Sequence, residues 1–525
     1  MQRNRWFLAL GVAALAAALP LHAQTLTAGP EITVHDVPFV PVYEPSIAAS
    51  ADGGFVAAWQ DSARNYARSF SPADVPLGGA RQVSSAETAL LSPPRVATLA
   101  SGRSVVVWSV SRLLNYLEMD LRIAARILDA SGNPAGPEIE LARADRIVRD
   151  PRSSAAVAVT AEPGGGFVAA WDRPGGIRAR RFDAEGSPAG AEIVITDDGL
   201  SPTLAALPGG GFAVAWFHQT PSSPFGEILL RLFRPDGLAA TPEIRVADPL
   251  GHPDFNPNVS ADDAGRLVVA WSESHFSETS PESTSWVRSR RFGPDGQPLA
   301  PALVVAETHV YGRGFLVGDV AARPEGSFLV SWLEADTLTG GPSDGSYINL
   351  NGEVWTRAFT AAETPLGDAF KVASTAGGDQ RAGEAAATPD GWIVSWSRAL
   401  QGPGLFARRF SLSCGTGTAL CLNGGRFRAE VAWHVSPSGP EGEGQPVSLT
   451  SDTGAFWFFD PANLELIVKV LDGTAVNGHY WVFYGSLTDV EFDLTVTDMA
   501  TGQQRTYHNP AGTMASKADT QAFPE

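Results

Sequence analysis

The stretch Gly165-Gly166-Phe167-Val168-Ala169-Ala170-Trp171 decides the fold, because versions of it occur seven times in the chain. Close copies end at Trp59 and Trp216, and weaker copies end at Trp108, Trp271, Trp332 and Trp396. Successive tryptophans are 45 to 64 residues apart. This interval is typical of propeller blades and other β arrays.

Each repeat contains four strand-like segments joined by two tight turns and one variable loop. In the third unit, the third strand is Ile177–Phe182, the second tight turn is Asp183–Pro188 and the fourth strand is Glu192–Ile195. Four antiparallel strands in each of seven units predict an all-β, seven-bladed β-propeller. Small residues, which suit a crowded central axis, lie eleven positions before five of the tryptophans: Ala48, Ala97, Ala205, Ser260 and Ala321.

An arginine occupies the third strand of every unit, two residues before Phe in six units and before Leu128 in the second. These arginines are Arg68, Arg126, Arg180, Arg231, Arg290, Arg357 and Arg408. A ring of seven arginines is compatible with an anion site. However, a residue repeated in every blade is better explained as a brace between blades, stacked on an aromatic ring or paired with a polar group.

Residues 1–23 have the pattern of a signal peptide: Arg3 and Arg5, an apolar run over Trp6–Leu21, and a small residue, Ala23. A retained membrane anchor is the less favoured alternative, since the run is short for a span. We therefore expect a secreted, periplasmic or cell-surface protein without membrane insertion, and a monomer. The formal net charge is −19, or −21 without Arg3 and Arg5, which argues against nucleic acid and anionic membranes as partners.

The two ends of the repeat array complement each other. The seventh unit ends at Phe410 without a fourth strand, whereas Gly29–Val34 matches the fourth strand of the second unit, Gly136–Ile139. Pairing of the two ends would close the ring and remove its exposed sheet edges. We therefore assign residues 24–412 to a propeller closed by residues 29–34.

A different module follows at residues 413–525. Its only cysteines, Cys414 and Cys421, lie in a Gly/Thr-rich linker, and export predicts a disulfide between them. Two thiols without a nearby histidine make a zinc site a poor alternative. Alternating strands such as Arg426–Trp433 and Tyr480–Tyr484, separated by Asp-Gly and Asn-Gly turns, predict a small β-sandwich. Trp457 and Trp481 suit stacking on sugar rings, although packing in a core explains them more simply.

The repeats resemble those of secreted bacterial seven-bladed β-propeller proteins written around G-G-F-x-V-x-W and R-x-F-x-x-x-G-x-P. The end of the chain is similar to an uncharacterised β-sandwich module found on many exported bacterial proteins, over Leu420–Leu422, Phe456–Phe459, Val468–Gly473 and Trp481–Gly485. The resemblance implies the fold and an appended module for attachment, sorting or stability. Neither part of it carries a known active site.

Sequence motifs for catalysis, phosphate binding or metal binding are scarce. The sequence has no Gly-rich phosphate loop, no G-x-S-x-G, no H-E-x-x-H and no Cys/His cluster. The acid pairs Asp197-Asp198 and Asp262-Asp263 are compatible with Ca²⁺. Solvated turns explain both pairs more simply, so we expect no cofactor.

Strand order predicts where a ligand would bind. The tight turns all lie at one end of the blades, and the variable loops lie at the other, here called the loop face. Loops on a rigid scaffold usually carry recognition. Eight polar residues that follow the tryptophans are therefore our candidate ligand-binding residues: Asp61, Asp172, His218, Glu273, His275, Glu334, Asp336 and Arg398.

These observations favour an exported, non-catalytic binding or surface-interaction protein that uses the loop face, with an unknown glycan or protein as its ligand. The alternative is a carbohydrate-active enzyme, a glycoside hydrolase or polysaccharide lyase, with acidic residues on the same face. A structural role in the envelope is a third, weaker hypothesis. A pair of carboxylates in a pocket, one with a raised pKa, would favour the enzyme.

Overall fold

The computed structural model describes residues 25–36, 42–61, 64–85, 90–115, 118–148, 155–220, 223–247, 252–253, 257–276, 283–310, 313–337, 349–374, 379–399, 404–413, 418–423, 425–435, 439–450, 452–499 and 501–524. Its first thirty strands form seven antiparallel sheets of four or five strands each. The all-β, seven-bladed propeller predicted from the repeats is confirmed. The predicted signal peptide, residues 1–23, lies outside the described residues. Within the described ranges, no helix is long and apolar enough to cross a membrane.

The strands follow the chain blade by blade, except that the first belongs to the last blade: β1 (Thr25–Asp36). Blade 1 contains β2 (Val42–Ala49), β3 (Phe55–Asp61), β4 (Arg64–Phe70) and β5 (Arg81–Gln82). Blade 2 contains β6 (Leu90–Leu91), β7 (Arg95–Thr98), β8 (Ser104–Leu113), β9 (Glu118–Leu128) and β10 (Ile139–Val148). Blade 3 contains β11 (Val157–Ala161), β12 (Phe167–Arg173), β13 (Gly176–Phe182) and β14 (Ile193–Thr196).

The later blades follow the same order. Blade 4 contains β15 (Leu200–Ala206), β16 (Phe212–Thr220), β17 (Ser223–Phe233) and β18 (Ile244–Arg245). Blade 5 contains β19 (His252–Pro253), β20 (Asn258–Ala261), β21 (Leu267–Phe276), β22 (Ser283–Phe292) and β23 (Leu303–Thr308). Blade 6 contains β24 (Arg313–Ala322), β25 (Phe328–Thr337), β26 (Asn349–Phe359) and β27 (Phe370–Lys371). Blade 7 contains β28 (Gln380–Thr388), β29 (Gly391–Arg398) and β30 (Gly404–Ser413), together with β1.

Each residue of the Gly-Gly-Phe sequence is explained by the structure. Gly165 adopts a φ of 95° in the tight turn, a conformation that glycine adopts without strain. A side chain on Gly166 would place its Cβ 2.2 Å from the carbonyl oxygen of Phe182, so only glycine fits there. Phe167 then pairs with Phe182 across the strands, and their rings stack at 5.1 Å. The motif therefore sets the turn and the register of the blade.

The core lies between blades. The tryptophan of each repeat is at most 2% exposed, and seven apolar clusters fill the seven interfaces, including the interface between blades 7 and 1. In six of the seven repeats the arginine also donates a hydrogen bond across one of these interfaces. Arg231 of blade 4, for example, donates to the carbonyl of Ile195 in blade 3 at 3.0 Å and to Thr241 in its own blade at 3.3 Å. The prediction of a brace between blades is confirmed.

Blade 7 takes its outermost strand from the start of the chain. β1 pairs antiparallel with β30, with Ala28 opposite Phe410 and Ile32 opposite Ala407. Ile32 and Val34 are buried against the core between blades 7 and 1. The ring is therefore closed by hydrogen bonds between strands that are far apart in sequence.

The remaining strands form two five-stranded antiparallel sheets. The first contains β31 (Leu420–Leu422), β32 (Phe427–His434), β33 (Glu441–Glu443), β38 (Glu491–Asp498) and β39 (Gln504–Asn509). The second contains β34 (Gln445–Ser448), β35 (Thr453–Trp457), β36 (Leu466–Gly473), β37 (His479–Ser486) and β40 (Ser516–Pro524), with one helical turn, α1 (Thr474–Asn477).

One apolar cluster joins the two sheets as a β-sandwich. It includes Phe427 and Leu494 from the first sheet and Phe456, Val468 and Val482 from the second. Trp457 and Trp481 are outside this cluster and are partly exposed. Cys414 lies outside the described residues, so its pairing with Cys421 stays a prediction.

Candidate functional site

The loop face is uneven, because the hairpins of some blades extend further past their tryptophans than others. In blades 1, 3 and 7 the second strand ends two residues after the tryptophan, at Asp61, Arg173 and Arg398. In blades 2, 4, 5 and 6 it continues for four or five residues, to Leu113, Thr220, Phe276 and Thr337. Blades 4, 5 and 6 are adjacent in the ring, and we call their hairpins, β16–β17, β21–β22 and β25–β26, the raised rim. Their connecting residues, 221–222, 277–282 and 338–348, lie outside the described residues.

Four of the predicted ligand-binding residues lie on the raised rim in contact with oppositely charged or polar partners. The Glu273 carboxylate is 2.8 Å from Nε of Arg288, and the Glu334 carboxylate is 2.9 Å from Nε of Arg313. Nδ1 of His218 is 3.2 Å from Glu227, whose other carboxylate oxygen is 2.7 Å from Arg245. Oδ2 of Asp336 accepts a hydrogen bond from Asn351 at 2.8 Å.

His275 belongs to the same rim. Its backbone pairs with Thr284 across the hairpin of blade 5, and its side chain lies outside what the structure describes.

The other three predicted residues lie on the lower blades. Asp172 is fully buried and accepts hydrogen bonds from the backbone N–H groups of Ala156 at 3.0 Å and Ser201 at 3.1 Å. Its carboxylate therefore joins blade 3 to blade 4. Asp61 is 3.9 Å from His35. Arg398 is 3.8 Å from Glu31 and lies over the ring of Phe406 at 4.6 Å.

The eight predicted residues are thus distributed over six blades. Only Glu273 with His275, and Glu334 with Asp336, share a strand. The structure concentrates five of the eight on the raised rim of blades 4, 5 and 6. It gives Asp172 a bracing position inside the ring.

The central channel contains charged residues that the sequence analysis did not select. A cavity of about 430 Å³ is lined by the innermost strands of the blades, mostly by alanine, valine and glycine. Arg95, Asp319, Arg381 and Glu384 also line it. Leu316 and Leu333 also line the cavity, and they pair across strands β24 and β25 of blade 6. Because these two strands also contain Arg313 and Glu334, the lining extends towards that rim pair.

Glu384 connects three blades at the closure of the ring. Its Oε2 accepts hydrogen bonds from the hydroxyl of Ser46 and from the backbone N–H of Ile47, the latter at 3.2 Å. Its Oε1 is 3.2 Å from Nη1 of Arg95, which belongs to blade 2. Three donors therefore surround this carboxylate and stabilise its negative charge.

Asp319 is in a different environment although it lies on the neighbouring blade. Its side chain accepts hydrogen bonds from the backbone N–H groups of Val320 at 2.8 Å and Ala385 at 2.9 Å. Asp319 is half-buried and lines the channel. Burial, followed by the nearby charge of Glu384, raises the pKa of Asp319 to about 8, and the two N–H donors and Arg95 lower it only in part.

A signal for two of these residues was present in the repeat. The position thirteen residues before each tryptophan holds Ser46, Arg95, Ala158, Thr203, Asn258, Asp319 and Gly383. Charge appears at this position only in blades 2 and 6, whereas the other five blades have uncharged residues there. Glu384 is one residue closer to its tryptophan than this position, so an alignment of the seven repeats does not place it beside Arg95 and Asp319.

The acid pairs considered for Ca²⁺ lie beside arginines. Asp262 contacts Arg266 at 2.6 Å and Arg291 at 3.7 Å, and Asp197 contacts Arg178 at 3.1 Å. In the described part of the chain, no three His, Cys, Asp or Glu side chains are grouped as a metal ion would require.

Comparison with known proteins gives no family for this chain, because no family model and no curated protein match it. Solved structures do match. A protein of unknown function from Dyadobacter fermentans is 11% identical over 74% of this chain and 99% of its own, with a TM-score of 0.43. An α-L-arabinanase from Penicillium chrysogenum, solved with arabinobiose, is 10% identical over 74% and 98%, with a TM-score of 0.38. The Dos1 propeller is 11% identical over 73% and 95%, also with a TM-score of 0.38. At these values, the activities of the matched proteins do not transfer to this chain.

Proposed function

We propose that this chain is an exported binding protein whose ligand, an uncharged glycan, lies against the raised rim of the loop face. The observation that carries the proposal is the series of carboxylate–cation pairs on three adjacent blades: Glu227–Arg245, Glu273–Arg288 and Glu334–Arg313. Export rests on the sequence of residues 1–23.

The pairs favour a ligand without net charge. Each pair neutralises its own charge. Glu273 is buried beside Arg288, whereas the partly exposed pairs Glu227–Arg245 and Glu334–Arg313 offer both acceptors and donors to a ligand. Sugar hydroxyls both donate and accept, which suits such a surface. A polyanion would find no excess of positive charge there, and the whole chain is acidic, with a formal net charge of −19.

The test is a glycan array with the purified protein lacking residues 1–23. We expect binding to a defined set of glycans, and alanine at His218, Glu273, His275 or Glu334 should weaken it by tenfold or more. Asp183→Ala provides the control, because Asp183 only caps a tight turn, accepting from the N–H of Ser187 at 2.7 Å on the opposite face. Binding that survives all four changes but is lost with Asp183→Ala would move the site to the other face.

A further inference from the structure

The two carboxylates of the channel differ in the charge that their surroundings favour. Ser46, Ile47 and Arg95 stabilise the ionised form of Glu384. Burial and the charge of Glu384 favour the protonated form of Asp319. Two carboxyl groups in such different surroundings supply one acid and one base at neutral pH.

The cavity around them is open to a polar ligand. Its volume of about 430 Å³ lies within the roughly 300–1,000 Å³ of most small-molecule sites. The Thr203 hydroxyl on the opposite part of the lining is buried and has no hydrogen-bond partner among the described residues. The lining also includes Asn258 and Ser260, so hydroxyl and amide groups alternate with alanine and glycine.

We propose that Asp319 and Glu384 form an acid–base pair that hydrolyses a glycosidic bond of a sugar entering the channel from the loop face. This activity goes beyond binding at the raised rim and would occur at a separate site. The lining contains no histidine or cysteine among the described residues, so it lacks the base of a Ser–His or Cys–His nucleophile. Two carboxyl groups, one protonated and one ionised, are the groups that acetal hydrolysis requires.

The reaction balances with water as the only co-reactant. Protonated Asp319 gives its proton to the bridging oxygen as the bond from that oxygen to the anomeric carbon breaks. Water adds to the anomeric carbon and loses a proton to Glu384. Transfer of that proton through solvent back to Asp319 restores both groups, and the products are a sugar with a free anomeric hydroxyl and the alcohol that carried the bridging oxygen.

The test uses 4-nitrophenyl glycosides of the common pentoses and hexoses, in both anomeric forms, with the full chain lacking residues 1–23. We expect release of 4-nitrophenol from at least one of them, and a value of kcat/KM that falls as the pH rises through about 8, because Asp319 must be protonated. Asp319→Asn and Glu384→Gln should each reduce this rate by at least about a hundredfold, the usual size of a general acid–base contribution.

Asp319 and Glu384 also join blades, so loss of activity needs a control for folding. Arg231→Met removes one hydrogen bond between blades 3 and 4 and one within blade 4, and should keep the rate because Arg231 does not line the channel. If a channel variant fails to fold, the pH profile of the unaltered protein decides. Cleavage of none of the glycosides, rates in folded channel variants equal to that of the unaltered protein, or a rate unchanged between pH 6 and 9 would each overturn the proposal. Glycan binding without cleavage would overturn the channel site alone, and cleavage without binding on the array would overturn the rim alone.

Discussion

At the scale of the residue, the repeat and its exceptions have different roles. Arg231 and its six counterparts occupy one position in every blade, and six of the seven donate a hydrogen bond to the preceding blade. The described hydrogen bond of the seventh, Arg180, is to Gly190 in its own blade. Asp319 and Glu384 each occur once: Asp319 joins blade 6 to blade 7, and Glu384 joins blade 7 to blade 1 where the ring closes. A residue used once in a sevenfold repeat is not needed by the repeat itself. Such a residue is therefore where a function specific to this protein is expected.

Asp319 should make the stability of the protein depend on pH. The raised pKa of its folded-state carboxyl, about 8 against an unfolded value near 3.8, means that the folded protein binds a proton that the unfolded chain has released. Stability attributable to this group is therefore full below about pH 4 and falls as pH rises towards 8, by at most about 1.4 kcal/mol per unit. Urea denaturation between pH 5 and 8 measures this slope.

The comparison for that slope is Asp319→Asn, which removes the titration and keeps a side chain of the same size. The variant should show a flatter pH dependence than the unaltered protein over the same window. Asp52→Asn is the control for replacing an aspartate by asparagine as such. The pKa of Asp52, in an exposed turn, is lowered by Ser50 and the N–H of Gly54 and not raised. Identical slopes for Asp319→Asn and the unaltered protein would contradict a protonated Asp319.

At the scale of the element, β1 and the innermost strands determine how the ring closes. β1 pairs with β30 at the outer edge of blade 7, while Glu384 connects blade 7 to blades 1 and 2 near the central channel. The two contacts stabilise the junction where the ring closes, here called the seam, one at its outer edge and one near the channel. Other innermost strands are joined in the same manner, as where Ser46 accepts from the N–H of Val96 at 3.0 Å.

Deletion of residues 25–36 should open this seam. The truncated protein would lose the burial of Leu26, Ile32 and Val34, worth about 1.5–3 kcal/mol for each side chain, and would expose the edge of β30. We expect a lower Tm and concentration-dependent aggregation, measured by calorimetry and light scattering. Adding back a peptide of residues 25–36 should restore part of the Tm. A truncated protein that melts like the parent would show that β1 does not close the ring.

The sequence predicted the elements better than the site, and the reason is physical. Gly165, Gly166 and Phe167 act locally on one turn and one pair of strands, so a single repeat reveals their purpose. Glu384 acts on Ser46, which is 338 positions away along the chain. Only the closed ring brings these two residues together. The loop-face residues could be selected from strand order, but their partners across each hairpin depended on register, which the sequence did not provide.

At the scale of the whole molecule, the chain contains two kinds of core. The propeller has seven apolar clusters, each shared by two blades, so that every blade depends on both of its neighbours. The sandwich has one cluster, formed by its own two sheets. Closure makes the propeller cooperative around the ring, whereas the sandwich buries its core without a residue of the propeller.

This difference predicts two separate unfolding transitions in calorimetry, because neither core contains side chains of the other. Leu494 is fully buried between the two sheets of the sandwich, and Leu494→Ala should lower one transition by about 2–5 kcal/mol of unfolding free energy. Leu230 is equally buried between blades 4 and 5, so Leu230→Ala, the same chemical change, should lower only the other transition. A single transition that both substitutions shift equally would mean that the two cores unfold as one unit. In that case the end of the chain would contribute to the stability of the propeller, and its removal should weaken ligand binding at the rim.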